Sequence, residues 1–289
     1  MRRTVPADTW QPLVTALVPT YNGAAFISRT LDSLARQTWP HLEILVADDC
    51  STDDTRVIVR EFAAGHPTTR VLERTANLGW LRNSNDLMAQ ASGELMFFAF
   101  HDDVVAPTFV ERLVDALRDR PAAVLAFSDM DTCELDGSVS RCTFEGLDGV
   151  TSRLGRGLVL AGRPDDWWVP NRGVFRASAY RQAGGIRPND KGEYSADWTW
   201  LLHLALLGDF VRVPELLCFK YYKPGSVSKQ WPYDPDQVAA LRRAGVDEVR
   251  RSNIGVVSKA ILVARIQLMP RLPEPVKQVA RRLAAPLLR

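Results

Sequence analysis

Short apolar runs along this chain are separated by longer stretches in which apolar residues recur every three or four positions. The runs predict strands at residues 13–18, 42–47, 70–73, 95–100 and 122–128. The stretches between them predict helices at 23–37, 52–64, 81–91 and 107–118. Strands that alternate with helices at this spacing form βαβ units, so the first part of the chain predicts a mostly parallel sheet.

The run from Leu95 to Phe100 is the most informative of the predicted strands. It is apolar without alternation, which is typical of a strand buried on both faces, and it is followed by His101 and two adjacent carboxylates, Asp102 and Asp103. Open α/β sheets bind ligands at the carboxyl ends of their strands. These carboxylates therefore predict a site for a hard divalent cation such as Mg²⁺ or Mn²⁺, or else simply begin the next helix.

The pattern changes after residue 128. Residues 130–190 are rich in Gly, Asp, Arg and Trp, with a predicted turn at Asp136-Gly137 and few periodic segments apart from 173–176 and 178–182. Regular structure is predicted again as a helix at 197–207, strands at 210–213 and 216–222, and helices beyond Pro235. We find no internal repeat in the sequence.

Composition excludes several classes of protein. A content of 46% hydrophobic and 24% charged residues is that of a globular chain, and the net charge of +2 is too small to predict a nucleic-acid partner. The four cysteines form no C-x-x-C pair, which favours a reduced, cytoplasmic protein. We expect neither a signal peptide nor a membrane span, because no window approaches about 18 uninterrupted apolar residues.

Positive charge is concentrated at the end of the chain, where eleven Lys and Arg face three Asp and Glu after residue 240. An apolar stripe from Ile254 to Leu268 has Lys259 and Arg265 beside it, and residues 276–288 repeat this combination. Basic amphipathic helices bind anionic lipid, which would place the protein at the inner face of the membrane. The alternatives are packing on the rest of the chain or pairing in a homodimer.

Polar residues also follow the first two predicted strands. The first strand ends in Val-Pro-Thr-Tyr-Asn-Gly at 18–23, where a dinucleotide-binding fold would have G-x-G-x-x-G, so a nicotinamide or flavin enzyme is not expected. After the second strand, Asp48 and Asp49 are predicted to face the crevice, and Ser51 or Thr52 to cap the next helix. The alternative is that all of these acids are helix caps.

Several segments resemble, in order, the motifs of the family 2 inverting glycosyltransferases. They are 19–23, 30–34 with 37–38, 43–53, Asn77-Leu78-Gly79 with Arg82-Asn83, and Gly93-Glu94 before His-Asp-Asp. The resemblance covers about residues 13–228. It implies the GT-A fold, an α/β fold with a mostly parallel, Rossmann-like sheet flanked by helices, here with a helical C-terminal extension. It also implies a nucleotide-diphospho-sugar donor, an Mg²⁺ or Mn²⁺ cofactor and a setting in cell-envelope polysaccharide biosynthesis.

The resemblance also implies roles for individual residues on the donor side. Asp102 would contact ribose and metal, and Asp103 the metal that binds the diphosphate. Many members have a further acid where this chain has Phe100, and the literal Asp-x-Asp at 129–131 is interpreted as a decoy. His101 is expected to be structural rather than a ligand. The remaining predicted nucleotide-sugar contacts are Pro19, Tyr21, Asp49, Arg82 and Lys223.

The general base implied by the resemblance is Asp197, at the start of an apolar helix. Members typically carry Glu-Asp there, whereas this chain has Ala196 before the Asp; Glu193 is a weaker substitute. Trp167 and Trp168 fall in the acceptor-side region, where they either stack on sugar faces or belong to the core. The Gln/Arg-x-x-Arg-Trp motif of processive relatives is absent from the sequence, which favours transfer of one sugar per encounter.

These predictions divide the chain into a nucleotide-sugar-binding half (1–128), an acceptor-side half with the base (129–235) and a basic helical extension (236–289). The expected partners are a nucleotide-sugar donor and a hydroxyl acceptor, such as a glycan, a lipid-linked intermediate or a small molecule. Two alternatives stay open: a non-catalytic sugar-nucleotide-binding or membrane scaffold protein and, less favoured, a nucleotidyltransferase.

Overall fold

The structure, a computed structural model, describes residues 10–222 and 234–268. Its strands are β1 (Val14–Thr20), β2 (Leu42–Asp48), β3 (Thr69–Glu73), β4 (Leu95–Phe98), β5 (Asp103–Val105), β6 (Ala123–Cys133), β7 (Val139–Cys142), β8 (Val174–Arg176) and β9 (Asp209–Tyr221). Its helices are α1 (Ile27–Ala35), α2 (Thr55–Gly65), α3 (Trp80–Gln90), α4 (Phe109–Asp119), α5 (Arg153–Ala161), α6 (Ala177–Ala183), α7 (Ala196–Leu207), α8 (Pro235–Arg251) and α9 (Val256–Leu268). A short 3₁₀ helix at Val169–Arg172 precedes β8.

One sheet connects all of these strands. Its order is β3-β2-β1-β4-β8-β6-β9-β5, and β7 pairs with the far part of β6. The strands β1 to β4 are mutually parallel, and β8 lies antiparallel between β4 and β6. The carboxyl ends of β1, β2 and β4 therefore lie at the same edge of the sheet, as the sequence predicts.

Burial explains why the first half of the chain is predictable. Every residue of β1 and β4 is buried, and β1, β2 and β4 supply much of the hydrophobic core. A strand covered on both faces keeps an uninterrupted apolar run, which is the signal that the sequence carries. The predicted strands and helices up to residue 128 are all present, with bounds that shift by a few residues.

Between residues 130 and 190 the expectation of little regular structure was wrong. The turn at Asp136-Gly137 is present, with Gly137 at φ +83°, but it joins the long strand β6 to β7 in a hairpin that was not predicted. Helix α5 was also missed. Its pattern is broken by Arg156, which is only 2% exposed because it donates to Asp209 and to the carbonyl of Ala205.

The two strands predicted at 210–213 and 216–222 are one strand, β9. Its pairing with β6 shifts register where Val213 opposes Ser128 and Leu216 opposes Asp129. Pro214 lies in that shift, since proline lacks the N–H that a regular ladder needs and occurs at bulges. The short strand β5 was not predicted either, and it pairs antiparallel with β9.

The helices α8 and α9 pack on α7 and α5. Gly245 of α8 lies so close to Trp198 of α7 that an added Cβ would be 2.6 Å from the indole, and Leu262 of α9 approaches Gly157 of α5 in the same way. At the other end of α7, His203 Nδ1 lies 2.7 Å from Glu248 of α8. Of the three alternatives for the tail, packing is therefore observed for these helices.

Lipid contact and a homodimer stay predictions. Within residues 10–222 and 234–268, no helix is both long and apolar enough to cross a membrane. The predicted helix at 276–288 and the predicted donor contact Lys223 lie outside the described residues. The division of the chain at residues 128 and 235 also stays a prediction; the first boundary falls within β6.

Candidate active site

The loops that follow β1 and β2 are joined by hydrogen bonds at the carboxyl edge of the sheet. Asn22, which has a φ of +47°, donates from its backbone to Ser51 Oγ (2.9 Å) and accepts from the backbone N–H of Thr52 (2.9 Å). Pro19 lies within β1, and the side chain of Tyr21 projects beside the joined loops, where it is 43% exposed. The loops thus hold an exposed aromatic ring next to the ends of both strands.

The two carboxylates at the end of β2 have different partners. Asp48 is fully buried and accepts a hydrogen bond of 2.6 Å from Arg56 of α2, which indicates a structural role. Asp49 is 3% exposed and accepts from the backbone N–H groups of Leu78 (2.7 Å) and Gly79 (2.9 Å). Asp49 therefore fixes the loop that leads into α3.

Glu193, predicted as a substitute base, lies on the same side as Asp49. An added Cβ on Gly79 would be 3.1 Å from the Glu193 carboxylate. Burial raises the pKa of Glu193, and the nearby charge of Asp49 raises it further, against a hydrogen bond from the backbone of Leu81. Arg82, a predicted donor contact, is exposed on the first turn of α3.

Asp103 is the first residue of β5 and is only 2% exposed. Its carbonyl accepts from Thr30 Oγ1 (2.7 Å), and its Oδ2 accepts from Arg172 Nε (3.1 Å). The other carboxylate oxygen, Oδ1, is buried without a hydrogen-bond partner in the described part of the chain. Burial raises the pKa of Asp103, and Arg172 opposes that change. The neighbouring Asp102 is half-buried.

Arg172 was not predicted as a site residue. Its side chain is 11% exposed, and its guanidinium lies 4.6 Å from the ring centroid of Phe100 and 5.4 Å from that of Trp168. Phe100 stands where many members of the resembled family have an acid. In this chain that position supports a buried cation rather than adding a carboxylate.

Asp197 lies in the first turn of α7 and is half-buried. Its Oδ2 accepts from Asn171 Nδ2 (3.1 Å), and its Oδ1 accepts from the backbone N–H of Trp198 (3.1 Å). Burial raises the pKa of Asp197, while Arg172 and Arg163 act in the opposite direction. A carboxyl group in this environment is a better proton acceptor than an ordinary surface aspartate.

Lys220 on β9 was missed as a site residue. It is 9% exposed and directly opposite Asp103 in the register of β9 and β5. Its ammonium lies 5.6 Å from the ring centroid of Trp168 and 4.8 Å from that of Tyr222. The signal that could have found it is a single charged residue within an otherwise apolar strand end.

The two tryptophans predicted on the acceptor side each pack against a cation. Trp167 lies 5.3 Å from the guanidinium of Arg163, and Trp168 lies between Arg172 and Lys220. Both indoles are half-buried. Stacking of either ring on an acceptor sugar stays a prediction.

The Asp-x-Asp that we interpreted as a decoy forms ion pairs away from this cluster. Asp129 accepts two hydrogen bonds from Arg212 (2.7 and 2.9 Å), and Asp131 accepts one from Arg141 (2.5 Å). His101 packs near Gly23, where an added Cβ would be 3.2 Å from the imidazole ring.

Taken together, the contacts of the site bring together residues of four separate segments: Asp102 and Asp103, Trp168 with Asn171 and Arg172, Asp197, and Lys220.

Comparison with known proteins assigns the class. The family model described as glycosyl transferase family 2 matches residues 15–143. The chain is 30% identical over 249 residues to an uncharacterized glycosyltransferase of Haemophilus influenzae, a match that covers 84% of this chain and 73% of the relative. The chain belongs to glycosyltransferase family 2. The matches to two other curated relatives cover 24% and 51% of the length of those relatives.

Solved structures confirm the GT-A fold. S. aureus TarS, residues 1–349 in complex with UDP-GlcNAc, has a TM-score of 0.69 at 19% identity, covering 88% of this chain and 71% of that chain. The mannosyltransferase PcManGT from Pyrobaculum calidifontis, in complex with GDP-Man and Mn²⁺, has a TM-score of 0.60 at 22% identity, covering 98% and 78%.

Proposed function

We propose that this chain transfers a single sugar, with inversion, from a nucleotide-diphospho-sugar to a hydroxyl group of a glycan, a lipid-linked intermediate or a small molecule. The observation that carries the proposal is a pair of hydrogen bonds made by two adjacent residues. Asn171 binds Asp197, and Arg172 binds Asp103, so one rigid backbone segment joins the proposed base to the proposed donor carboxylates. A segment that holds both groups sets the spacing between a bound acceptor and a bound donor.

Asp197 is the proposed general base. Inversion at the anomeric carbon requires attack from the face opposite the leaving diphosphate, with removal of the acceptor's hydroxyl proton. Asp197 is half-buried, so it is enclosed by protein yet reachable from the crevice. The hydrogen bonds from Asn171 and Trp198 fix the orientation of its carboxylate. In the proposed reaction, one of its oxygens takes the proton as the new glycosidic bond forms.

Asp102 and Asp103 are the proposed holders of an Mg²⁺ or Mn²⁺ ion. The donor set fits: two adjacent carboxylates, one with a buried Oδ1 that lacks a partner among the described residues, match a cation that takes its other ligands from phosphates and water. No cluster of three or more His, Cys, Asp or Glu suited to a metal occurs in the part of the chain that the structure describes. When bound, the cation would neutralise charge on the donor diphosphate.

The nucleoside is proposed to bind at the ends of β1 and β2. Each carboxylate oxygen of Asp49 already accepts one backbone hydrogen bond, and each has a second lone pair that can accept from a nucleobase N–H. The exposed ring of Tyr21 offers an aromatic face beside it. Arg82 and Pro19 flank the same crevice in this proposal.

A donor panel tests the proposed function. Purified protein is incubated with UDP-, GDP- and dTDP-sugars in Mn²⁺, in Mg²⁺ and in EDTA, and release of the nucleoside diphosphate is followed. We expect one nucleotide to be preferred, with faster release in metal. Once an acceptor is found, NMR of the product should show the anomeric configuration opposite to that of the donor. Failure of every nucleotide sugar to bind or react, or retention of configuration, would contradict the proposal.

A further inference from the structure

Lys220 has an unusual position for a lysine. It lies on β9, directly opposite Asp103 of β5, in the part of the sheet that faces the proposed donor site. Successive side chains of a strand point to opposite faces. The next residue, Tyr221, packs under the guanidinium of Arg29 at 4.5 Å, whereas Lys220 lies near Arg172. The lysine therefore points to the same side as the cluster of Asp103 and Arg172.

Among the residues that the structure describes, no carboxylate forms an ion pair with the ammonium of Lys220. The ammonium also makes no hydrogen bond to any of those residues, although Lys220 is only 9% exposed. The rings of Trp168 and Tyr222 lie within cation–π distance. Such contacts compensate only in part for removing a charged group from water, so a buried ammonium in this setting favours binding an anion.

The nearest carboxylate is already engaged elsewhere. Asp103 is opposite Lys220 in register, yet its Oδ2 is bonded to Arg172, and its Oδ1 is the oxygen available to a metal ion. Asp102 and Asp197 influence Lys220 through longer-range electrostatics only. Within the described residues, Arg172 is thus paired with Asp103, and Lys220 has no ion-pair partner.

The proposed reaction creates an anion at this place. The bond between the anomeric carbon and the diphosphate oxygen breaks, and its electron pair stays with the diphosphate, which leaves with one more negative charge. The acceptor oxygen bonds to the anomeric carbon, and its proton goes to Asp197. A preorganised cation next to the leaving oxygen stabilises that charge as it develops.

We propose that Lys220 is a diphosphate-binding residue: its ammonium contacts the donor diphosphate and stabilises the nucleoside diphosphate as it leaves. The rings of Trp168 and Tyr222 lie beside the ammonium, and the Asp103–Arg172 pair keeps Asp103 from capturing it. The inference rests on the proposed function, since it needs a nucleotide-sugar donor. The resemblance implies a nucleotide-sugar contact at Lys223 but none at Lys220.

The test compares binding of nucleoside diphosphates and monophosphates by calorimetry. UDP, GDP and dTDP, with UMP, GMP and dTMP, are titrated into wild type, Lys220→Met and Lys220→Gln, in EDTA and in Mn²⁺. Lys259→Met is the matched control, because Lys259 of α9 donates to the backbone carbonyl of Arg250 and not to a residue of the site. Methionine keeps the length of the buried stem, and glutamine provides a second neutral variant if the first does not fold.

The readout is the ratio of diphosphate to monophosphate affinity, because a general folding defect would weaken both ligands equally. We expect this ratio to fall roughly tenfold or more in Lys220→Met, as for loss of one partner of a buried charge pair, and to stay unchanged in Lys259→Met. A wild-type ratio in both Lys220 variants under both conditions overturns the inference. Absence of any nucleotide binding by wild type overturns the proposed function, and the inference with it.

Discussion

Asn171 Nδ2 lies 3.1 Å from Asp197 Oδ2, and this hydrogen bond ties the 3₁₀ turn before β8 to the first turn of α7. Asn171 is 5% exposed, so its amide has little access to water. A hydrogen bond to the charged form of a carboxyl group favours ionisation. The contact therefore orients the proposed base, and we expect it to favour the ionised form against the burial that raises the pKa of Asp197.

Replacing Asn171 with Ala should separate these two effects. Without the amide donor, the pKa of Asp197 should rise, and the acid limb of the kcat profile should move to higher pH. We expect a loss of roughly tenfold or more in kcat at neutral pH, since the carboxylate also loses its orientation. Asn253→Ala, which removes an amide that contacts Arg153, is the control. An unshifted acid limb would mean that the contact has no role in tuning the base.

Wild-type enzyme should itself lose activity in acid. Asp197 accepts a proton only when ionised, and burial raises its pKa above the ordinary 3.8. We expect kcat at saturating donor to fall as pH decreases through an apparent pKa higher than that of a surface aspartate. The measurement is kcat from pH 4 to pH 9, with donor binding monitored separately. A rate that stays constant down to pH 4 would be inconsistent with this assignment.

The free energy of unfolding should depend on pH through Asp197, and the raised pKa of Asp197 sets the direction of that dependence. Because the pKa of Asp197 is higher in the folded protein than in the unfolded chain, the folded state binds more protons between the two values, and the free energy of unfolding falls as pH rises through that window. Asp197→Asn should therefore raise Tm at pH 8, with the gain shrinking toward pH 4. Asp119→Asn, at an exposed helix end, is the matched control. A gain that grows toward acid would contradict the assigned direction.

The conformation of the loop before α3 should depend on Asp49. Its carboxylate accepts from two backbone N–H groups, those of Leu78 and Gly79, and an amide at this position can accept from one of them while its NH₂ opposes the other. We expect Asp49→Asn to weaken nucleoside diphosphate binding by roughly tenfold with a smaller effect on kcat. Calorimetry with the preferred nucleotide checks this. Unchanged affinity would remove Asp49 from the proposed nucleoside site.

The C-terminal helices should support the base through Trp198. A Cβ on Gly245 would be 2.6 Å from the indole of the residue that follows Asp197, whereas a Cβ on Gly255 would meet no described residue within 4 Å. Gly245→Ala should lower the free energy of unfolding by about 1–3 kcal/mol, as for other overpacked sites, and reduce kcat. Gly255→Ala should change neither. Equal behaviour of the two variants in thermal unfolding and turnover would contradict the packing of α8 on α7.

Sequence patterns predict this fold best where burial is uniform. The strands β1, β2 and β4 keep continuous apolar runs, and their carboxyl ends carry the polar residues that predict a site. Helix α5 and strand β7 escape the same reasoning. In α5 a buried Arg156 interrupts the apolar face, since its charge is compensated by Asp209, a residue far along the chain. In β7 three of four residues are exposed.

The site residues also divide into those that the sequence predicts and those that it does not. Asp102, Asp103 and Asp197 stand out because carboxylates end or begin apolar segments. Arg172 and Lys220 do not, because a lysine or arginine in a sequence is most often a solvated surface residue. Only the pairing of β9 with β5 places Lys220 opposite Asp103. Likewise Glu193, close to Asp197 in sequence, faces Asp49 in the fold.

The central claim is that Asp197 is the base of a nucleotide-sugar-dependent transfer, and Asp197→Asn tests it most directly. With the donor selected from the panel, its affinity is measured by calorimetry and its turnover by nucleoside diphosphate release, in wild type, Asp197→Asn and Asp119→Asn. We predict wild-type donor affinity for Asp197→Asn with turnover reduced roughly a hundredfold to ten-thousandfold, and no change for Asp119→Asn. Wild-type turnover in Asp197→Asn would contradict the account.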